Sequence, residues 1–501
     1  MRTRIRSCRR FAIAVAVVSV GAGCATIDRV NTSSTGAQAN GTTVGILQAT
    51  LAVSGTGRYV AFDSKATNLV KNVTDGLSHV YRKDRKTGFT IAVDRGSNGA
   101  LSTKPSVVVA ISDNAHSVAF ITEAALTSND LNQIGDLYVR DITTGTTVLA
   151  SIMPDGSQIP TGTISGVFTA KFDGFGRILF EVASGTLPPR HRLELRDLAA
   201  GTTTQVLGDS QVTDIFFSYN GEHVVYNTGC FQTGGCFPTP GVLDLAHPYA
   251  FSASLCSGSR VAGLSDDGRY VIYSRSASGP NCVGGPARFD RQTGTWLDLA
   301  LSSASPLLQG AVALSGNGRF AVLSAPDTAL PGGTLGFTGV FARDTVTGWV
   351  GRVSADQLDH AANATVAYPD SWTISRDGRT VVFTSAASNL VLGDTNAIAD
   401  VFARALPRAA VSSVSPNSLA RGVIGATVTV NGDEFVSGVV ASFAGTGVTV
   451  NSATPSANGH QLMLNVSVSA GAAIGARNLS VTNVGGFGGV ESVCLSCLTV
   501  T

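Results

Sequence analysis

The sequence predicts an all-β chain: a seven-bladed β-propeller followed by a small immunoglobulin-like β-sandwich. Three observations carry this. A turn-and-strand unit, Ser-x-x-Gly-Arg followed by alternating apolar residues, recurs seven times between about residue 50 and residue 406. A second unit, Asp-x-x-x-Gly between two apolar runs, follows most of these copies. Residues 411–501 carry neither unit, yet continue as short alternating strands. With 57 Gly, 44% hydrophobic and only 14% charged residues, the composition is that of a turn-rich globular β chain.

The first unit is clearest at Ser375-Arg376-Asp377-Gly378-Arg379-Thr380-Val381-Val382-Phe383. Related copies begin at Ser54, Ser112, Ser218, Ser265 and Ser315, and a degraded one is Gly174-Phe175-Gly176-Arg177-Ile178-Leu179-Phe180. Ser and Asp bond nearby backbone and Gly accepts positive φ, so the polar cluster reads as a turn. The β-branched and aromatic run after it reads as a strand. The second unit runs Asp84 to Gly88, Asp141 to Gly145, Asp197 to Gly201, Asp290 to Gly294 and Asp344 to Gly348. That spacing suits a type I turn closed by a left-handed Gly. Two hairpins per unit give a four-stranded sheet, and seven such sheets at roughly 45–60-residue intervals must stack in a ring to bury their faces. In the fourth unit Asp244-Leu245-Ala246-His247 is all that remains of the second hairpin.

Residues 375–404, with Asn389-Leu390-Val391, Gly393-Asp394-Thr395-Asn396 and Asp400-Val401-Phe402, closely resemble the TolB-like propeller repeat. The resemblance covers about three-quarters of the chain and implies the fold, and members include both binding proteins and polysaccharide lyases. The seventh unit stops at Leu406-Pro407 after three strands. Arg29-Val30-Asn31 is similar to Arg352-Val353-Ser354, a fourth strand, so residues 26–31 are expected to supply the outer strand of the last sheet. The propeller then spans residues 24–406.

Residues 1–23 read as a signal peptide: Arg2, Arg4, Arg6, Arg9 and Arg10 precede the short apolar run Phe11 to Val20. Ala22-Gly23-Cys24-Ala25 resembles the lipobox of bacterial lipoproteins, which implies acylation of Cys24; ordinary cleavage is the other reading. The expected location is exported: periplasmic or an outer-membrane-anchored lipoprotein, alternatively secreted. Loss of five arginines lowers Lys+Arg from 35 to 30 against 34 Asp+Glu, and the formal charge goes from +1 to −4. No basic patch points to nucleic acid, and membrane contact is expected only through a lipid on Cys24.

Six further cysteines are disulfide candidates, clustered as Cys230 with Cys236, Cys256 with Cys282 and Cys494 with Cys497. Cys494-Leu495-Ser496-Cys497 also has the spacing of a redox motif or half a zinc site, but no βαβ context or facing Cys pair accompanies it. After a linker at 407–410, residues 411–501 contain Val428 to Val430, Gly432-Asp433-Glu434-Phe435, Leu462 to Val468 and Leu479 to Asn483. Short strands with regular turns read as an immunoglobulin-like sandwich. The pattern resembles the IPT/TIG domain, which in bacterial surface proteins implies a spacer or adhesion module.

Few residues suggest chemistry. Asp394, Asn396 and Asp400 recur as Asp130, Asn132 and Asp136, oxygen donors at a spacing that could hold calcium; the plainer reading is that they terminate turns. No other cofactor is indicated. The histidines at 79, 116, 191, 223, 247, 360 and 460 show no metal-binding spacing, and no nucleophile elbow occurs. Arg58, Arg177, Arg269, Arg319 and Arg379 are expected to brace turn carboxylates of adjacent blades. Trp296 and Trp349 are expected to pack on outer strands, with sugar stacking as the sharper alternative. The preferred reading is a non-catalytic envelope binding or scaffold protein that holds a protein or glycan on a propeller face. The alternative is a polysaccharide lyase or hydrolase with its site in the propeller channel; histidines or carboxylates converging there would favour it.

Overall fold

The computed structural model of the chain describes residues 27–43, 51–161, 166–184, 190–210, 212–228, 239–245, 259–275, 284–300, 313–330, 336–345, 350–357, 360–366, 372–406, 410–433, 435, 439–456, 459–483 and 491–501. Among these residues the chain forms nine sheets, seven from residues 27–405 and two from residues 410–500. The one helical turn there is a 3-10 turn, Asp327–Ala329. No helix of the described residues is long and apolar enough to cross a membrane.

The Ser turn recurs because one side chain closes it. The hydroxyl of Ser54 accepts the amide of Tyr59 at 3.0 Å, and Ser112, Ser218, Ser265, Ser315 and Ser375 do the same for the residue five positions on, at 2.8–2.9 Å. In the third sheet Asp173 takes the place of Ser and accepts the Arg177 amide instead. The Asp-x-x-x-Gly hairpins close the same way each time. Asp84 Oδ1 accepts the amides of Lys86 and Thr87, and Gly88, at φ +78°, donates to the Asp84 carbonyl. Asp141 with Gly145 and Asp290 with Gly294 repeat the arrangement.

In the first six sheets of residues 27–405 the strands follow in chain order, so each of these is an antiparallel meander. The innermost strands are Ala52–Val53, Ser106–Ile111, Gly166–Phe172, Val212–Phe217, Arg260–Leu264, Ala313–Leu314 and Trp372–Ile374. Each touches the next, and the last touches the first. Sheets arranged radially around a channel are a β-propeller. The ring is closed by the N-terminal segment: Ile27–Arg29 pairs antiparallel with Phe402–Arg404 as the outer strand of the last sheet. The fourth sheet has three described strands, and residues 246–258 beyond them lie outside the described set.

The core lies between neighbouring sheets. Val30, Val60, Phe62, Tyr81, Val382 and Val401, all fully buried, join the last sheet to the first. Burial of each such side chain contributes about 1.5–3 kcal/mol. Stacked pairs recur at one place: Phe62 on Tyr81 at 5.8 Å, Phe120 on Tyr138 at 5.9 Å, Phe383 on Phe402 at 5.7 Å.

The repeat arginines correct one expectation. The carboxylates they pair with are those of their own sheet, not of the adjacent one: Arg58 pairs with Asp84 at 2.7 Å, Arg269 with Asp290 at 2.6 Å and Arg319 with Asp344 at 2.9 Å, while Arg177 also donates to the Gly221 carbonyl of the next sheet at 3.1 Å. Register explains this, because the residue after each arginine lies opposite that aspartate. In the last sheet Ala405 stands there, and Arg379 turns to Asp377. Bracing between sheets falls to third-strand arginines, which donate to neighbouring carbonyls: Arg82 to Ala115, Arg140 to Gly96, Arg288 to Gly318, Arg343 to Ala300 and Arg404 to Asp356.

Among the described residues, the strands of residues 410–500 pair only with one another. One sheet runs Ala410–Ser415, Ala426–Asp433, Gln461–Val468, Val448–Pro455; the other runs Ser418–Leu419, Glu491–Val500, Gly475–Asn483, Val439–Phe443. Val428, Val430, Leu462, Leu464 and Val466 of the first share a core with Leu479, Val481, Leu498 and Val500 of the second. Cys494 and Cys497 are disulfide-bonded, with Cα atoms 5.7 Å apart. Cys24, Cys230, Cys236, Cys256, Cys282, His247, Trp349 and residues 407–409 lie outside the described residues.

Candidate binding site at the channel mouth

The residue that follows the turn Ser, or its stand-in, points the chain at the channel. Around the ring these are Gly55, Asp113, Gly174, Tyr219, Asp266, Gly316 and Arg376. Backbone bonds link neighbours: Gly55 N to Asp113 O, Gly174 N to Tyr219 O, Asp266 N to Gly316 O and Gly316 N to Arg376 O. Beneath them one apolar residue from each inner strand lines the channel: Val53, Ile111, Phe172, Phe217, Leu264, Leu314 and Ile374. The cavity they enclose is about 190 Å³.

Arg376 crosses this mouth. Its Nε lies 2.7 Å from Asp266 and its Nη1 3.3 Å from Asp113, while its guanidinium carbon lies 3.5 Å from the Tyr219 ring centroid. One cation thus ties the last sheet to the second, fourth and fifth across the axis. The glycines make room. A Cβ on Gly55 would lie 1.6 Å from an Asp113 oxygen, on Gly174 2.4 Å from the Tyr219 ring, and on Gly316 2.2 Å from Asp266. Burial pushes the Asp266 carboxyl and the Tyr219 phenol up, and Arg376 opposes both shifts.

Chemically, the mouth is an open ring of polar groups above an apolar layer. Its three carboxylates are engaged: Asp113 and Asp266 with Arg376, and Asp173 with Arg177 at 2.6 Å. The lining residues include no histidine, cysteine or serine. The arrangement offers a ring of hydrogen-bonding groups held in place by ion pairs. Asp113, Tyr219, Asp266 and Arg376 escaped the sequence reading, although a signal existed. They occupy the variable position of the Ser-x-x-Gly turn, where other copies have Gly.

The structure separates the two calcium candidates. In the last sheet Arg29 lies between the acids, 3.2 Å from Asp394 and 3.0 Å from Asp400, so the counter-charge comes from the chain. Asn396 donates to Asp400 at 3.0 Å and caps the loop. In the second sheet Tyr138 donates to Asp130, and Ser151 to Asp136 at 2.5 Å. Burial pushes the Asp136 carboxyl up to about 6. In the first sheet His79 occupies the matching place, 2.7 Å from Asp94 and 2.9 Å from Asp75. Among the described residues no three His, Cys, Asp or Glu side chains group as a metal site, and the histidines stay apart. Trp296 packs on Phe289 and Tyr273, at 4.7 and 5.4 Å.

No protein-family model matches the chain, and no curated protein does. Among solved structures it is similar to an oligogalacturonate lyase in complex with manganese, at 14% identity and TM-score 0.48, over 77% of this chain and 99% of that one. It is similar to TolB from Acinetobacter baumannii at 15% identity and TM-score 0.36, over 66% of this chain and 76% of that one. For the β-propeller domain of the Trilobed protease from Pyrococcus furiosus the values are 10%, 0.43, 71% and 93%. At such values each is a likeness of fold alone, shared with TolB-like and other β-propeller proteins.

Proposed function

We propose that this chain is an exported cell-envelope binding or scaffold protein, a seven-bladed propeller carrying an IPT/TIG-like immunoglobulin-fold module, and that it holds a protein or glycan partner on the Arg376 face without catalysis. The observation that carries this is the engagement of every channel-mouth carboxylate by an arginine. Carboxylates so engaged offer shape and hydrogen bonds rather than a free proton acceptor. The two self-contained sheets of residues 410–500 suit a spacer or adhesion module. Export, by the periplasmic, lipid-anchored or secreted route, rests on Arg2 to Cys24.

The test is affinity isolation of the tagged full-length chain, crosslinked in its native envelope, beside an Arg376→Glu variant. One protein or intact glycan recovered near stoichiometrically with the wild type, and lost with the variant, is the expected result. Saccharide fragments shortened relative to the input would overturn it in favour of a lyase or hydrolase.

A further inference from the structure

The loops 129–136 and 393–400 share one hydrogen-bonded frame. Asn132 donates to the Ile159 carbonyl at 3.2 Å and Asn396 to the Ala39 carbonyl at 3.1 Å. Each Asn also accepts the amide two residues on, Ile134 at 3.3 Å and Ile398 at 3.4 Å. Gln158 and Gln38 clamp the two loops alike, accepting the amides of Leu131 and Thr395. Gln133 and Ala397 take the same left-handed turn, at φ +58° and +57°.

The carboxylates correspond by position, although Asp400 also accepts from Asn396 and Asp130 from Tyr138. One oxygen of Asp400 accepts from Asn31, and one oxygen of Asp136 accepts from Ser151. The other Asp400 oxygen faces Arg29, as does one oxygen of Asp394. Their counterparts, Asp136 Oδ2 and Asp130 Oδ1, are buried with no hydrogen-bond partner. Asp136 is 0% and Asp130 7% exposed. Register says why the second sheet differs. Arg29 lies opposite Phe402, and the residue opposite the equivalent Tyr138 is Leu149. The other sheets with an acid here supply a partner: His79 for Asp94 and Asp75 in the first, Arg352 for Asp327 at 2.8 Å in the sixth. Among the described residues, Asp130 and Asp136 have no basic partner.

We propose that Asp130 and Asp136 bind a hard divalent cation, of the calcium or magnesium class, where Arg29 places its guanidinium in the last sheet. Buried charges require a counter-charge. Tyr138 and Ser151 each hold one oxygen of a carboxylate and leave the other directed at the site, the way outer hydrogen bonds orient metal ligands. Oxygen-only donors favour hard cations, whose remaining positions take water or carbonyl oxygen. Asn132 shapes the loop, its amide donating to the Ile159 carbonyl and accepting from Ile134.

Calorimetric titration of the chelator-stripped full chain with calcium, then with magnesium, tests this. Binding of one ion per chain with a raised melting temperature is expected. The Asp136→Asn variant should bind at least tenfold more weakly. Leu149→Arg should melt at a temperature that no longer responds to the ion, since the guanidinium replaces it. Absence of binding by the folded wild type would overturn the proposal, as would full-strength binding by a folded Asp136→Asn or Asp130→Asn variant. If neither variant folds, the wild-type isotherm and the Leu149→Arg comparison still decide.

Discussion

The first and last sheets fill one buried slot in different ways. In the first, His79 sits between Asp94 and Asp75, all three from the same sheet and its exit loop. In the last, Arg29 sits between Asp394 and Asp400, brought from the far end of the chain by ring closure. The repeat fixes where the slot lies, while which of its positions carry the acids and which the base is free to vary. A local histidine makes the slot sensitive to pH. A distant arginine makes it dependent on the ring being closed.

The widest difference between the two should appear on deleting residues 27–40. The last sheet then loses its outer strand, and Asp400 loses Arg29 and Asn31 together. Loss of more than about 5 kcal/mol is expected, since stranding a buried charge alone costs about 3–5 kcal/mol. Urea unfolding checks it, and an unchanged midpoint would refute a closing role.

Arg29→Met isolates the charge from the strand. It should cost about 3–5 kcal/mol, and adding Asp394→Asn with Asp400→Asn should recover part of that, because the acids are then neutral as well. A single variant no less stable than wild type would show that the slot tolerates unpaired acids.

The first sheet should respond to pH instead. Burial opposes the charge on His79, but Asp94 and then Asp75 outweigh it and raise its pKa. A raised folded value binds the proton more tightly than the unfolded chain does. The stabilisation is therefore complete below the ordinary histidine value of about 6.5 and is lost as pH rises through the raised one. Asp63, pushed up to about 7 by burial, acts with the same sign. Unfolding free energies measured from about pH 5.5 to 9 should fall more steeply for wild type than for His79→Gln. Parallel profiles would place the titration on the buried acids raised by burial, Asp63, Asp136 and Glu194, and not on His79.

The smallest effects belong to the arginines at the hairpin ends. Arg58, with its side chain 40% exposed, should cost little stability on change to Ala. Arg319→Ala should cost more, because the ion pair it removes is made to Asp344, whose side chain is 0% exposed. Equal losses would mean that burial of the acid does not set the value of the pair.

Much of the ring was legible because its grammar is local. Ser54 closes its turn five residues on, and Asp84 four, so both leave fixed spacings in the sequence. Alternation within Tyr59–Ser64 or Thr380–Ser385 marks strands equally well. The similarity of Arg29-Val30-Asn31 to Arg352-Val353-Ser354 pointed to the segment that pairs with Phe402–Arg404. The carboxylates of the slots were legible as residues, but not what each would face. Asp394 and Asp130 stand in nearly the same local sequence, yet one meets Arg29 and the other does not.

By itself the sequence determined the turns, the strands and their order, since these depend on residues within reach of one another along the chain. Only the tertiary structure decided that Arg376 spans the channel to Asp113 and Asp266, that Arg29 serves Asp400, and that Arg82 and Arg404 bind neighbouring sheets. Such contacts join positions whose separation is set by how the sheets close on one another. A charge has the same reach toward any partner that folding brings near, so spacing cannot name that partner in advance.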